Sequence, residues 1–183
     1  MLQAQFVSHD GELIQIANLS GTNHVSHLPD EIKASEGFVT WSYTPEVLRK
    51  LHDIHPSIIV KDGDRVVGYA LVLLPESTTV YEPLKEMLAH FSTLTYRNKP
   101  LLDHRVYFMG QICVDKDYRG QGVVDRLYQF HRQAMGPRYD LLVTEIATRN
   151  TRSMRAHQKV GFITINTYKD AIDEWNVVLW DWV

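Results

Sequence analysis

Apolar positions recur along this chain with two different periods, and the alternation between them predicts an ordered series of strands and helices. Leu2 to Phe6 reads as a first strand, and Glu12 to Leu19 as a first helix ended by Ser20-Gly21. Thr44 and Pro45 have the character of an N-cap and a first helical residue, opening a helix to about Ile54. Ser57 to Lys61 and Arg65 to Leu74 follow as two strands joined by Asp62-Gly63-Asp64, a hairpin signal. Leu84, Met87, Leu88 and Phe91 share one face, which predicts a helix over Pro83 to Phe91. Val106 to Val114 is almost continuously apolar or aromatic, as a buried strand is. Then Val123, Val124, Leu127, Phe130, His131 and Ala134 return at helical spacing, with Asp125, Arg126, Gln129 and Arg132 largely elsewhere. Leu141 to Ala147 is a further strand, and Asn150 to Gly161 a short helix stopped by its glycine. Ile163 to Tyr168 and Trp175 to Val183 form a closing antiparallel pair. Strands on both sides of a strand–helix–strand–helix unit imply an α+β domain with a mixed sheet. With no repeat, low-complexity tract or linker, residues 1–183 are expected to be one domain.

Composition narrows the function classes. The chain of 183 residues is 44% hydrophobic and 22% charged, in the range of soluble globular proteins. A net charge of −3 gives no electrostatic footprint for nucleic acid or an anionic membrane surface. No apolar run is long enough to span a bilayer, and the N-terminus carries no basic-then-apolar leader. Cys113 is the only cysteine, which excludes an internal disulfide. A cytoplasmic location is the expectation.

The chemistry concentrates between the buried strand and the helix after it. Val114-Asp115-Lys116-Asp117-Tyr118-Arg119-Gly120-Gln121-Gly122-Val123-Val124 reads as a strand end, a turn with an arginine and two glycines, and a helix start. Gly120 and Gly122 remove side chains that would keep an anion from the backbone. Free N–H groups at a helix start, reinforced by the helix dipole, suit phosphate oxygens. An ordinary strand-to-helix turn also favours glycine, so the turn alone does not decide. A second block, Asn150-Thr151-Arg152-Ser153-Met154-Arg155-Ala156-His157-Gln158-Lys159-Val160-Gly161-Phe162, adds independent weight.

Together these blocks resemble the GNAT superfamily of N-acetyltransferases over Val106 to Phe162, about a third of the chain. The family cradle is Arg or Gln, two residues, Gly, one residue, then Gly or Ala; Arg119 and Gly122 fit, and Val124 departs. The second signature is an Asn, a Tyr seven residues on, and a following Gly-Phe; Asn150, Gly161 and Phe162 fit, and His157 takes the Tyr position. The resemblance implies a single domain built on a central, mixed, mostly antiparallel twisted sheet flanked by helices. It further implies acetyl transfer from acetyl-CoA to a primary amine of a small molecule or peptide, by direct attack on the thioester and without a metal. On that reading Arg119, Gly120, Gln121, Gly122, Val123 and Val124 meet the diphosphate. Ile112, Cys113 and Val114 align the pantetheine arm, and Asn150 and Ser153 support the cofactor from the next helix. Gly110 is a candidate bulge where the strand bends, with simple close packing as the alternative.

Proton transfer has less support. A helix from Asn150 places Asn150, Ser153 and His157 on one stripe, and an imidazolium at His157 is a candidate general acid. Packing against the sheet or facing solvent is the equal alternative for that histidine. Tyr107, Phe108 and Met109 offer no base, which leaves Glu145 as the carboxylate best placed by position; such residues often simply face water. The expected partners are acetyl-CoA and an unidentified amine, with no nucleic acid or membrane. Transfer of a longer acyl group is neither required nor forbidden, and a non-catalytic acyl-CoA-binding module of the same fold is the rival reading.

Other features carry less. The pairs His24 and His27, and His52 and His55, lack a third ligand at metal-site spacing and read as surface or capping residues. Trp180 and Trp182 share one side of the last strand, where they either cover the core or join two copies in a homodimer. By family analogy the acceptor pocket draws on Gly37 to Tyr43 and Glu76 to Pro100, whose aromatics could hold an amine or fill a core.

Overall fold

The computed structural model describes residues 1–27 and 38–183. Gly37, expected near the acceptor, lies outside the described residues. Strand β1 (Leu2–Phe6) leads into helix α1 (Asp10–Thr22), then helix α2 (Pro45–Ile54) and strands β2 (Ile58–Asp62) and β3 (Arg65–Leu73). Helix α3 (Pro83–Phe91) is followed by a small hairpin, β4 (Thr95–Tyr96) and β5 (Lys99–Pro100), outside the main sheet. Strand β6 (Val106–Val114), helix α4 (Val123–Met135), strand β7 (Leu141–Ala147) and helix α5 (Thr151–Val160) form the central unit. Strands β8 (Ile163–Lys169) and β9 (Glu174–Asp181) close the chain.

Seven strands make one sheet in the order β1-β2-β3-β6-β7-β9-β8. Every neighbouring pair is antiparallel except β6 and β7, so the sheet is mixed and mostly antiparallel as expected. Side chains alternate between its faces. One face, with Ile59, Tyr69, Leu71 and Phe108, packs on α1, α2 and α3 through Leu13, Ile16, Leu48, Leu84 and Phe91. The other, with Val60, Ala70, Val72 and Tyr107, packs on α4 through Val123, Leu127, Tyr128 and Met135. Trp180 and Trp182 are half-buried against this second core, 5.1 Å apart edge to face, and Trp182 Nε1 donates to the Tyr139 carbonyl.

Local chemistry explains most boundaries. The Thr44 hydroxyl accepts from Val47 N–H and Pro45 takes the first turn of α2. Gly63, at a φ of 57°, closes the β2–β3 hairpin where Asp62 faces Arg65. The first helix departs from expectation: α1 continues through Ser20 and Gly21 to Thr22. Buried Ser20 donates to Gln111 Oε1 on β6 at 3.0 Å, so a tertiary bond holds the turn that local propensity would release. Glu12 on the same helix is also buried, accepting from Lys61 Nζ at 2.8 Å and Ser8 N–H at 2.7 Å.

The position of the site follows from one irregularity. Parallel pairing of β6 with β7 covers only Val106 to Phe108 against Leu141 to Val143; beyond that the strands part. On the other side of β6, Ala70 faces Ile112 but Val72 faces Met109, so Gly110 and Gln111 form a bulge. Close packing operates at Gly110 as well, because a Cβ there would stand 2.6 Å from Leu73 Cδ1. The Thr144 hydroxyl donates to the Met109 carbonyl at 2.8 Å, satisfying the backbone where the split begins.

Candidate active site: a split sheet joining two cavities

Two cavities of about 270 Å³ each open from the split between β6 and β7. Phe38, Val39, Ile112, Asn150, Ser153 and His157 border both, so the two meet at the C-terminal half of β6 and the start of α5.

The first cavity runs along the turn into α4. Gly120 and Gly122 have φ angles of 76° and 75°, a left-handed conformation that side-chain-bearing residues rarely adopt. A Cβ at either would meet nothing within 4 Å, so the space beside the backbone is open. Gly122 caps α4 without a side-chain hydrogen bond, leaving the first N–H groups of the helix without an intrahelical partner. Half-buried Arg119 lines the cavity, its Nη2 donating to Asn23 Oδ1 at 2.8 Å. Burial, and then the charge of Arg152, hold its pKa below the usual guanidinium range. Among the described residues, Arg152 and Lys159 add two further cations, against one carboxylate, Asp125, which lies 3.5 Å from Lys159. Open left-handed glycines, a helix start and an excess of positive charge fit a diphosphate.

Of the residues predicted to hold the cofactor, Ile112, Cys113, Val114, Arg119, Gly120, Gly122, Val123, Val124, Asn150 and Ser153 all line this cavity. Gln121 does not: it is exposed, and its Nε2 donates to the Asp117 carbonyl at 2.8 Å. Val124, the departure from the cradle pattern, is half-buried against the second core and borders the cavity without filling it. Burial pushes the Cys113 thiol up to about 12, which removes the thiolate a nucleophile would need.

Asn150 caps α5, accepting from Ser153 N–H at 3.3 Å, and its Nδ2 donates to the Phe38 carbonyl at 3.0 Å. His157, one turn beyond Ser153, is buried. Its Nδ1–H donates to the Ser153 carbonyl at 2.8 Å, so Nε2 carries the lone pair that accepts from the Tyr128 hydroxyl at 2.6 Å. Burial depresses its pKa to about 4. The imidazolium expected as a general acid is therefore disfavoured near neutral pH. In its place stands a neutral ring with both nitrogens engaged.

The second cavity has the opposite character. Its titratable lining comprises Glu86, Glu145 and Asp170 with Tyr81, Tyr168, His90 and His157, and no lysine or arginine among the described residues. Glu145 is partly buried, and its Oε1 accepts from the Tyr168 hydroxyl at 2.6 Å. Burial raises its pKa to about 7; the Tyr168 hydrogen bond opposes that rise and the charge of Asp170 adds to it. His90 stacks on Tyr168 at 3.8 Å between ring centroids and contacts Asn166 Oδ1, fixing that tyrosine.

Three contributors escape the motif pattern. A Cβ on Gly68 of β3 would lie 2.6 Å from Val123 Cγ1, so the bare glycine seats the start of α4 against the sheet. Buried Gln111 accepts from Ser20 and Tyr69 and donates to the Trp41 carbonyl at 2.8 Å, tying the bulge to the loop beside both cavities. Tyr128 on α4 donates to His157 Nε2 and holds the ring from the neighbouring helix. For Gly68 and Gln111 the signal available was a glycine or a polar residue inside an otherwise apolar strand; Tyr128, on a helix, gave none.

This architecture defines an acetyltransferase fold, with a basic cleft and an acidic chamber on either side of a split sheet. Residues 26–162 match the family model described as Acetyltransferase (GNAT) family, and the chain belongs to that family, a family of acyltransferase enzymes. Among solved structures, the chain is similar to the ribosomal-protein-S18-alanine N-acetyltransferase from Escherichia coli, with a TM-score of 0.65 at 10% identity over 99% of this chain and 94% of that one. A chain of the NatC complex bound to Gag peptide and CoA gives 0.66 at 15% identity over 100% and 99%. A putative acetyltransferase from Salmonella typhimurium, solved with its cofactor acetyl-CoA, gives 0.63 at 10% identity over 98% and 93%. At these identities the likeness is one of fold. No curated protein sequence matches. Among the described residues, no helix is long and apolar enough to cross a membrane.

Proposed function

We propose that residues 1–183 act as one catalytic unit, an N-acetyltransferase that uses acetyl-CoA to acetylate a primary amine. The observation that carries this reading is the meeting of the two cavities at the β6–β7 split, one suited to a diphosphate and the other holding a carboxylate with a pKa near neutrality. Bound acetyl-CoA supplies an acyl thioester that a neutral amine attacks directly. The backbone N–H groups from Gly120 to Val124 and the charges of Arg119 and Arg152 bind the diphosphate. Ile112 to Val114, freed from β7 beyond Phe108, offer backbone polar groups to the arm. Asn150 and Ser153 hold the junction between the cavities.

Glu145 is the general base. An amine is a cation at neutral pH and must lose a proton before it attacks, and a carboxylate with a pKa of about 7 is matched to that task. Tyr168 orients the carboxylate through Oε1, leaving Oε2 for the amine. His157 is a positioning residue: kept neutral by burial and bonded to Ser153 and Tyr128, it fixes the α5 wall. A thiol has an ordinary pKa of about 8.5, so its release needs no dedicated acid. With Cys113 as the only cysteine, no disulfide calls for an oxidising compartment, and a cytoplasmic location accords with the reading.

The test is thiol release from acetyl-CoA with a panel of primary amines, using wild type and Glu145→Gln. Amine-dependent release that falls about a hundredfold or more in the variant supports the assignment. Release at equal rates in both proteins removes Glu145 from the chemistry. No release with any amine, despite acetyl-CoA binding, would favour the non-catalytic module.

A further inference from the structure

We infer that the acidic chamber selects an acceptor with a second cationic group, an unbranched aliphatic amine carrying at least two ammonium centres. This rests on the acetyltransferase reading and adds the substrate class. Three carboxylates border the chamber, and the charges of Glu145, Asp170 and Glu86 all act on the single hydroxyl of Tyr168, raising its pKa after burial has done so. They therefore face one shared space. Their partners leave much of that charge uncompensated. Among the described residues, Glu145 is bonded only to a neutral tyrosine, Asp170 accepts from the N–H groups of Ile172 and Asp173 and from Trp175 Nε1, and Glu86 has no partner. Among the described residues, no lining lysine or arginine offsets them.

The division of labour follows from depth. Glu145, on the central strand β7, stands at the sheet and takes the reacting amine. Glu86 on α3 and Asp170 after β8 are exposed, at the mouth, and present charge to a second ammonium further along the ligand. Trp41, Tyr81 and Tyr168 supply aromatic surface to a methylene chain and its cationic end. A carboxylate at that end would meet like charge, and a neutral methyl would forfeit the attraction. A volume of about 270 Å³ lies near the small end of ligand pockets and suits such a chain better than a folded protein surface.

The experiment is calorimetric titration of the full chain, with CoA present, by three amines of equal chain length whose far ends differ: putrescine, n-butylamine and γ-aminobutyrate. Putrescine is expected to bind about tenfold or more tightly than n-butylamine, and γ-aminobutyrate more weakly than both. Glu86→Gln, an exposed change that breaks no bond among the described residues, should bring putrescine to within about threefold of n-butylamine. Equal affinities, preference for γ-aminobutyrate, no binding by putrescine, or a putrescine preference untouched by Glu86→Gln would each overturn the proposal. So would tighter binding of a short peptide N-terminus lacking a second cation. Binding reads the charge selection even if no acetyl is transferred, so the two readings fail separately.

Discussion

The two cavities share six wall residues and a similar volume, yet they differ in almost everything that decides what enters them. Among the described residues, the cleft is lined by Arg119, Arg152 and Lys159 against a single carboxylate, and the groups it offers a ligand are largely backbone. Among the described residues, the chamber is lined by three carboxylates and no lysine or arginine, and its groups are side chains. Backbone N–H groups at left-handed glycines can be placed by a short motif, because the motif dictates the backbone. Side chains that converge from α3, β7 and the segment after β8 cannot, since nothing local in the sequence relates Glu86, Glu145 and Asp170. One half of the site is thus written in a contiguous stretch and the other only in the fold.

That contrast can be broken at either side. The largest effect is expected for Glu145→Gln, with turnover falling about a hundredfold or more and acetyl-CoA affinity changing less than about twofold. Arg119→Glu combined with Gly122→Glu should do the reverse at the cleft, weakening acetyl-CoA by about thirtyfold or more, since two acidic side chains face the diphosphate and one is forced to positive φ. The pH profile follows from the base: kcat/KM should rise through a pKa of about 7 as Glu145 loses its proton, and Glu145→Gln should abolish that limb.

Stability effects are smaller. Glu145 has a folded pKa above its unfolded value of 4.5, so the native state binds the extra proton and stability declines as pH rises from 4.5 towards 7. Glu145→Gln should therefore stabilise the chain by about 1–2 kcal/mol at pH 8 and much less at pH 5, as read by chemical denaturation. His157 works in the opposite direction. Its pKa falls from 6.5 to about 4 on folding, so the stability it contributes is present above 6.5 and lost as pH falls through 4. His157→Gln should flatten that acid limb. Gly68→Ala should cost about 1–3 kcal/mol by driving a methyl into Val123, with a loss of acetyl-CoA affinity if the start of α4 shifts.

Much of this fold is legible from periodicity alone. The β2–β3 hairpin at Gly63, the Thr44 cap and the strand pair after Phe162 fall where turn chemistry and alternation put them. The end of α1 does not, because the bond from Ser20 to Gln111 overrides a local stop. The hairpin at Arg97 and Asn98, both at positive φ, escapes for a related reason: neither flank has enough apolar residues to announce a strand. At the site, the cradle is readable at Arg119, Gly120 and Gly122. The state of His157 is not, since its neutrality depends on burial beneath elements distant in the chain. Glu145 shows the same limit from the other side: a lone charge in a strand suggests a solvent-facing residue, and only the β6–β7 split gives it a chamber to face.

The most direct test of this division of labour is calorimetric binding of acetyl-CoA to three proteins: wild type, the Arg119→Glu and Gly122→Glu double variant, and Glu145→Gln. Saturable binding to wild type, retained in Glu145→Gln and lost in a folded double variant, is the predicted result. Absence of binding to folded wild type, or equal binding by the double variant, would contradict the assignment of the basic cleft to the cofactor.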